Sequence, residues 1–178
     1  MGEGLATKEI RRFLERFSEL YPEPVNLYLL GGSALCFLGS PRRTVDIDCT
    51  ADIKSKEIES TVEAVAQELQ LEVEIVPIEE FIPVPVSAQA RHQPIGQFGQ
   101  VQVFVFDPYS IALSKLARGF DADIQDILFL LQSDTISLDE LIREVDEAIP
   151  QAWNFDIDPK DIVKYLEAVK KLYLQGSS

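Results

Sequence analysis

The chain reads as an α/β (α+β) protein: a mixed sheet flanked by helices comes first, and a C-terminal helical part follows. Three observations predict this. Period-two apolar segments interleave with period-3.6 segments up to about residue 106. From Tyr109 onward only the helical period remains. Hydrophobic residues make up 46% of the 178 residues, enough to build a real core.

The elements follow in order. Ile10, Phe13, Leu14, Phe17 and Leu20 form one stripe of a helix over 7–20, which Tyr21-Pro22-Glu23-Pro24 ends. Asn26–Leu30 is a short apolar run, read as a buried strand, and Ala34–Leu38 is one or two helical turns closed by Gly39-Ser40-Pro41. Thr44–Cys49 alternates as a half-buried strand, which puts Asp46 and Asp48 on one face. Ser55 is a plausible cap for a helix over 55–70. Leu71–Ile78 alternates again, with Leu71, Val73 and Ile75 opposite Glu72, Glu74 and Val76. Phe81–Val86 is expected to be extended but marginal, because its prolines remove ladder donors. Residues 101–106 form another strand, and helices are expected over 109–118, 122–132, 138–148 and 160–174, with 134–137 and 150–159 as loops. The domain reading is an α/β core with its N-terminal helix over 1–108, and a helical part packed on it over 109–178.

Two motifs carry the chemistry. Gly31-Gly32-Ser33 follows the first strand and opens a helix, where glycines admit close backbone approach and free N–H groups attract anions. Twelve residues separate Ser33 from Asp46-Ile47-Asp48, and two carboxylates one residue apart on a strand suit a divalent cation gripping a triphosphate. In this order the motifs resemble the nucleotidyltransferase superfamily, whose pattern is a Gly-Gly or Ser-Ser turn, roughly ten residues, then Asp-x-Asp. The resemblance implies a nucleotidyltransferase-type mixed sheet with the glycine turn beside the acidic strand. It places Gly31, Gly32 and Ser33 at the nucleotide phosphates and Asp46 and Asp48 on Mg2+ (or Mn2+).

Arg42-x-Thr44-x-Asp46-Ile47-Asp48 is similar to the signature of the abortive-infection-type nucleotidyltransferase toxins and their uncharacterised relatives. Asp107-Pro108-Tyr109-Ser110, Lys115-Leu116-Ala117-Arg118 and Asp123-Ile124-Gln125-Asp126 match their later patterns in order, so the likeness spans about residues 26–132. It implies that Arg42 and Lys115 serve the nucleotide, with Lys115 neutralising triphosphate charge from a helix that closes the cleft; a surface lysine on an amphipathic helix is the plainer alternative. Asp123 and Asp126 share a helix face, where acids are also favoured by the helix dipole. The superfamily supplies a third carboxylate from a neighbouring strand. Glu74 is the choice, on the strand after the helix that follows Asp48; Glu72 on the same face and Asp107 at the end of a later strand are its rivals.

The implied activity is transfer of a nucleoside monophosphate from a nucleoside triphosphate to an acceptor hydroxyl on RNA, protein or a small molecule. Two ions about 3.5–4 Å apart would clamp the attacking and leaving oxygens. The resemblance also implies a toxin of a toxin–antitoxin pair, hence an antitoxin partner and tRNA or protein as acceptor. A nucleotidyltransferase fold without catalysis, acting as a nucleotide sensor or interaction protein, is the alternative; an acidic binding protein with a coincidental motif is a third.

Composition bounds these readings. No apolar run reaches a membrane span and the N-terminus is amphipathic rather than signal-like, so a cytoplasmic protein is expected. Cys36 and Cys49 sit in apolar stretches and read as reduced thiols. The one histidine, His92, excludes a multi-histidine metal site. Thirty acidic against sixteen basic residues give a formal charge of −14, which argues against a long basic nucleic-acid face. Arg11, Arg12, Arg16, Arg42 and Arg43 are the candidates for a small local contact, the first three being also an ordinary exposed helix face.

Overall fold

A computed structural model describes residues 5–176. The chain divides into two compact units. One runs to Pro77 and resumes over His92–Phe106; the other takes Ile78–Arg91 and continues from Asp107.

The first unit is built on a five-stranded mixed sheet in the order β3-β2-β1-β5-β4. Its elements are α1 (Thr7–Leu20), β1 (Val25–Leu30), α2 (Gly31–Phe37), β2 (Ile47–Ala51), α3 (Lys56–Leu69), β3 (Val73–Ile75), β4 (Gln93–Phe98) and β5 (Val101–Val105). β1 is central, antiparallel to β2 and parallel to β5. β3 runs parallel to β2, and β4 antiparallel to β5. The stripe read on α1 becomes its buried face: Ile10, Phe13, Leu14 and Phe17 are fully buried. Leu27, Leu29, Ile47, Val101, Val103 and Val105 join them in the core. α1 also packs on α3, and Arg16 pairs with Glu68 across that contact at 2.7 Å. Ser55 caps α3 as expected, accepting from the N–H groups of Glu57 and Ile58.

Three readings of this unit change. The acidic strand starts at Ile47, and Asp46 lies in the bend before it. The strand expected over 71–78 shrinks to Val73–Ile75; Gln70 ends α3 in the left-handed region, and Pro77, which has no N–H, stands where the ladder would continue. Gln93–Phe98 is an added strand. Pro94 and Gly96 hid it, and both fit because β4 lies on the sheet edge with a register shift between them.

The second unit is helical: α4 (Ile78–Phe81), a 3-10 helix over Val86–Arg91, α5 (Pro108–Arg118), α6 (Asp121–Gln132), α7 (Leu138–Ala148), a 3-10 helix over Ile149–Phe155 and α8 (Pro159–Gly176). The segment expected to be extended around Phe81–Val86 thus lies between two helical turns, and the loop expected over 150–159 is largely a 3-10 helix. The four long helices fall within two residues of their expected bounds. Gly119 turns α5 into α6 with φ +69°, and a Cβ there would strike the Tyr165 ring on α8 at 2.2 Å, so both its conformation and the packing require glycine.

No helix among the described residues is long and apolar enough to cross a membrane. Both cysteines are free; Cys49 is buried, and burial pushes its thiol up to about 12.

Candidate active site

Sheet register explains how the acidic residues meet. Leu30 pairs with Asp48 across β1 and β2, and Asp48 pairs with Glu74 across β2 and β3. Paired residues share a face, so Asp48 and Glu74 stand side by side. Asp46 reaches the same place from its bend. One carboxylate oxygen from each of Asp46, Asp48 and Glu74 lies within 4.8 Å of the others. Asp46 and Asp48 are half-buried and Glu74 is exposed. Three hard oxygen donors converging at an open edge fit a divalent cation such as Mg2+ or Mn2+.

The glycines abut these acids. Gly31 begins α2 at φ +54°, and a Cβ there would lie 2.8 Å from Asp48 Oδ2. At Gly32 a Cβ would fall 2.6 Å from Thr44 Oγ1. Gly32 therefore needs glycine for space and Gly31 for its left-handed backbone, which lies beside the Asp48 carboxylate. Thr44 is buried, and its hydroxyl donates to the Asp46 carbonyl at 3.0 Å, which shapes the bend presenting Asp46.

Ser33 has a different surrounding from the phosphate donor expected of it. It is fully buried. Its Oγ lies 2.7 Å from the Leu30 carbonyl and 3.1 Å from the Asp48 carbonyl as donor, and accepts the Asp48 N–H at 3.3 Å. The hydroxyl thus ties the end of β1 to the backbone of Asp48. Ser33→Ala should lower stability by about 1–3 kcal/mol, since it leaves buried backbone groups unmatched. The same loss should loosen Asp48 and weaken metal–nucleotide binding. Thermal unfolding and calorimetry on one preparation check this; weaker binding at unchanged stability would return Ser33 to a ligand contact.

Arg42 is exposed in the 40–43 turn, its N–H held by Ser40 Oγ at 3.2 Å, while Arg43 pairs with Glu9 at 3.4 Å. Arg11 lies over the Phe37 ring and Arg16 is paired with Glu19 and Glu68, while Arg12 is exposed on α1. Glu72 precedes β3 and stands outside the acidic group, its carbonyl accepting the Ile47 N–H.

The remaining candidates belong to the helical unit. Asp107 is fully buried and caps α5, accepting from the N–H groups of Tyr109 and Ser110, the Ser110 hydroxyl and two nitrogens of Arg91. Arg91 also reaches Glu144 at 2.6 Å. Lys115 is buried, with its Nζ 2.8 Å from Asp126 and 3.6 Å from Asp123. Arg118 holds Asp123 through two nitrogens. Burial works to raise the Asp123 carboxyl, but the Arg118 hydrogen bonds and the charges of Lys115 and Arg118 outweigh it and hold the group below the usual aspartate range.

Residues 8–172 match the family model described as nucleotidyltransferase of unknown function, DUF6036. The chain belongs to that family. No curated protein and no solved structure matches it. In this chain, Thr44 was visible in sequence only as a letter of the Arg-x-Thr pattern; its packing against Gly32 supplies the reason for it. The aromatic residues Tyr28, His92, Phe104 and Phe106 gave no sequence signal as a set, because their rings meet only once β1 and β5 are paired.

Proposed function

We propose that this nucleotidyltransferase is a metal-dependent enzyme that moves a nucleoside monophosphate from a nucleoside triphosphate to an acceptor hydroxyl. The observation that carries the reading is the convergence of Asp46, Asp48 and Glu74 against the Gly31 backbone. Asp46, Asp48 and Glu74 would hold Mg2+ or Mn2+, which when bound neutralises triphosphate charge and acidifies the acceptor hydroxyl. Gly31 and Gly32 leave room for phosphate oxygens beside the acids, and exposed Arg42 offers them a cation. Glu74, the most exposed of the three, takes up the hydroxyl proton as the acceptor oxygen bonds to the α-phosphorus. The bond from that phosphorus to the bridging oxygen breaks and pyrophosphate leaves.

In this reading Ser33 and Lys115 act at one remove: Ser33 sets the backbone of Asp48, and Lys115 neutralises Asp126 and Asp123 inside the helical unit. A cellular role as the toxin of a toxin–antitoxin pair, with tRNA or protein as acceptor, is supported by the Arg42-x-Thr44-x-Asp46-x-Asp48 likeness. The free thiols Cys36 and Cys49 support a reducing, cytoplasmic setting.

The experiment offers purified protein each α-labelled nucleoside triphosphate with Mg2+ or Mn2+, total RNA and protein extract. Label should pass to one class of acceptor and disappear with Asp46→Asn. One observation favours an inactive, nucleotide-binding reading instead: Glu74 stands on a strand of only three residues at the sheet edge. That reading predicts nucleotide binding with no label transferred to any acceptor.

A further inference from the structure

The sheet face that carries the acidic group also carries aromatic rings. Tyr28 precedes Leu30 by two residues on β1, so it shares the face of Asp48 and Glu74. Phe104 pairs with Tyr28 across β1 and β5, and Phe106 follows two residues later. The Tyr28 and Phe104 rings stack at 5.3 Å and 22°. His92 sits 4.7 Å from Tyr28 and 4.5 Å from Phe106. The alternate residues Leu27, Leu29, Val103 and Val105 are buried to 1% exposure or less, the ordinary sign of a core face. Tyr28, His92 and Phe104 are only half-buried. The less buried face of the sheet unit therefore bears three half-buried rings.

The spacing matters. From Leu30, which lies beside Asp48, to Tyr28 is about 6–7 Å along the strand, and the neighbouring strand is about 4.8 Å away. That separation is on the scale of one nucleoside. Aromatic rings on a sheet face are a general platform for bases, since every base offers a π-face.

We propose that Tyr28, Phe104 and His92 form a stacking surface for a nucleobase whose phosphate lies at Gly31 and the acidic group. The inference rests on the metal-site reading above for the phosphate end only. The base belongs either to the nucleoside triphosphate or to the last residue of an RNA acceptor, and the two sources separate by experiment.

Calorimetry in Mn2+ with three probes decides it: ATP, inorganic tripolyphosphate and a single-stranded RNA hexamer. Tyr28→Leu and Phe104→Leu remove one ring each, and Tyr28→Phe keeps the ring while losing the hydroxyl. Either Leu variant should weaken ATP or hexamer binding about ten- to a hundredfold, the range for losing one base stack. Tyr28→Phe should stay within threefold and tripolyphosphate within twofold of the parent. Loss confined to ATP assigns the base to the triphosphate, and loss confined to the hexamer assigns it to the acceptor. No loss for either probe, or an equal loss for tripolyphosphate, overturns the stacking surface. If the parent binds no tripolyphosphate while Tyr28→Leu still loses hexamer binding, the metal reading fails and the stacking surface stands. Because Phe104→Leu tests the same surface from another strand, a poorly folded Tyr28→Leu does not decide the matter.

Discussion

Replacing Asp46 and Asp48 together with asparagine should lower metal–nucleotide affinity by at least about a hundredfold and abolish nucleotide transfer. Loss of outer partners of a metal site alone costs about 10–100-fold, and these two residues are the proposed ligands themselves. The fold should survive. Asparagine has the shape of aspartate, so the close approach of residue 48 to Gly31 is kept. Three carboxylates within 4.8 Å of one another also repel, and removing two charges relieves roughly 1 kcal/mol or more per close pair in a solvated site. The thermal midpoint without metal should therefore hold or rise slightly. Added Mn2+ should raise the midpoint of the parent and not that of the variant, through the linkage of binding to stability. A variant that binds Mn2+–ATP as tightly as the parent would remove the site from this face of the sheet.

Lys115→Met should produce the largest loss of stability. The ammonium is buried between Asp126 and Asp123, and methionine keeps the stem while leaving the acids without it. Breaking one partner out of a buried ion pair costs about 3–5 kcal/mol. For a chain of this length that corresponds to a fall of roughly 6–20 °C in the unfolding midpoint. Asp126→Asn added to Lys115→Met should recover part of the loss, because the orphaned charge is then gone. The pH dependence has a defined sign. Asp123 is held below its unfolded value, so its contribution to stability is present above the ordinary aspartate value of about 3.9 and is lost as pH falls through the folded value. Lys115→Met removes one of the charges that depress it, so the variant should lose this contribution at a higher pH than the parent. Unfolding followed by circular dichroism from pH 7 to pH 3 reads both effects. An unchanged midpoint together with a selective loss of triphosphate over monophosphate affinity would instead make Lys115 a phosphate ligand.

The proximity of the three acidic residues was largely legible in the sequence. Asp46, Asp48 and Glu74 lie near one another because strand period and strand order act on short segments, and both leave a mark in the order of residues. The long helices were legible for the same reason: an apolar stripe of period 3.6 is local information. What stayed hidden depends on contacts between distant positions. The Ser33 hydroxyl bonds to the backbone of Asp48, fifteen positions away, and no local pattern announces that contact. Lys115 meets Asp126 at 2.8 Å, a pairing between two helices that neither apolar stripe announces. Arg91, Asp107 and Glu144 meet across 16 and 53 positions, and no spacing announces them. β4 was missed because edge position and a register shift tolerate the proline and glycine that normally argue against a strand.

The function proposed for this chain needs Asp46, Asp48 and Glu74 to hold a divalent cation together. A crystal of the protein soaked in Mn2+ with a non-hydrolysable nucleoside triphosphate, and measured for manganese anomalous scattering, tests it most directly. An anomalous peak bounded by the carboxylates of these three residues beside Gly31 is expected, absent from crystals of the Asp46→Asn, Asp48→Asn protein. A nucleotide bound with no manganese at these carboxylates, or the same peak in the variant, would contradict it.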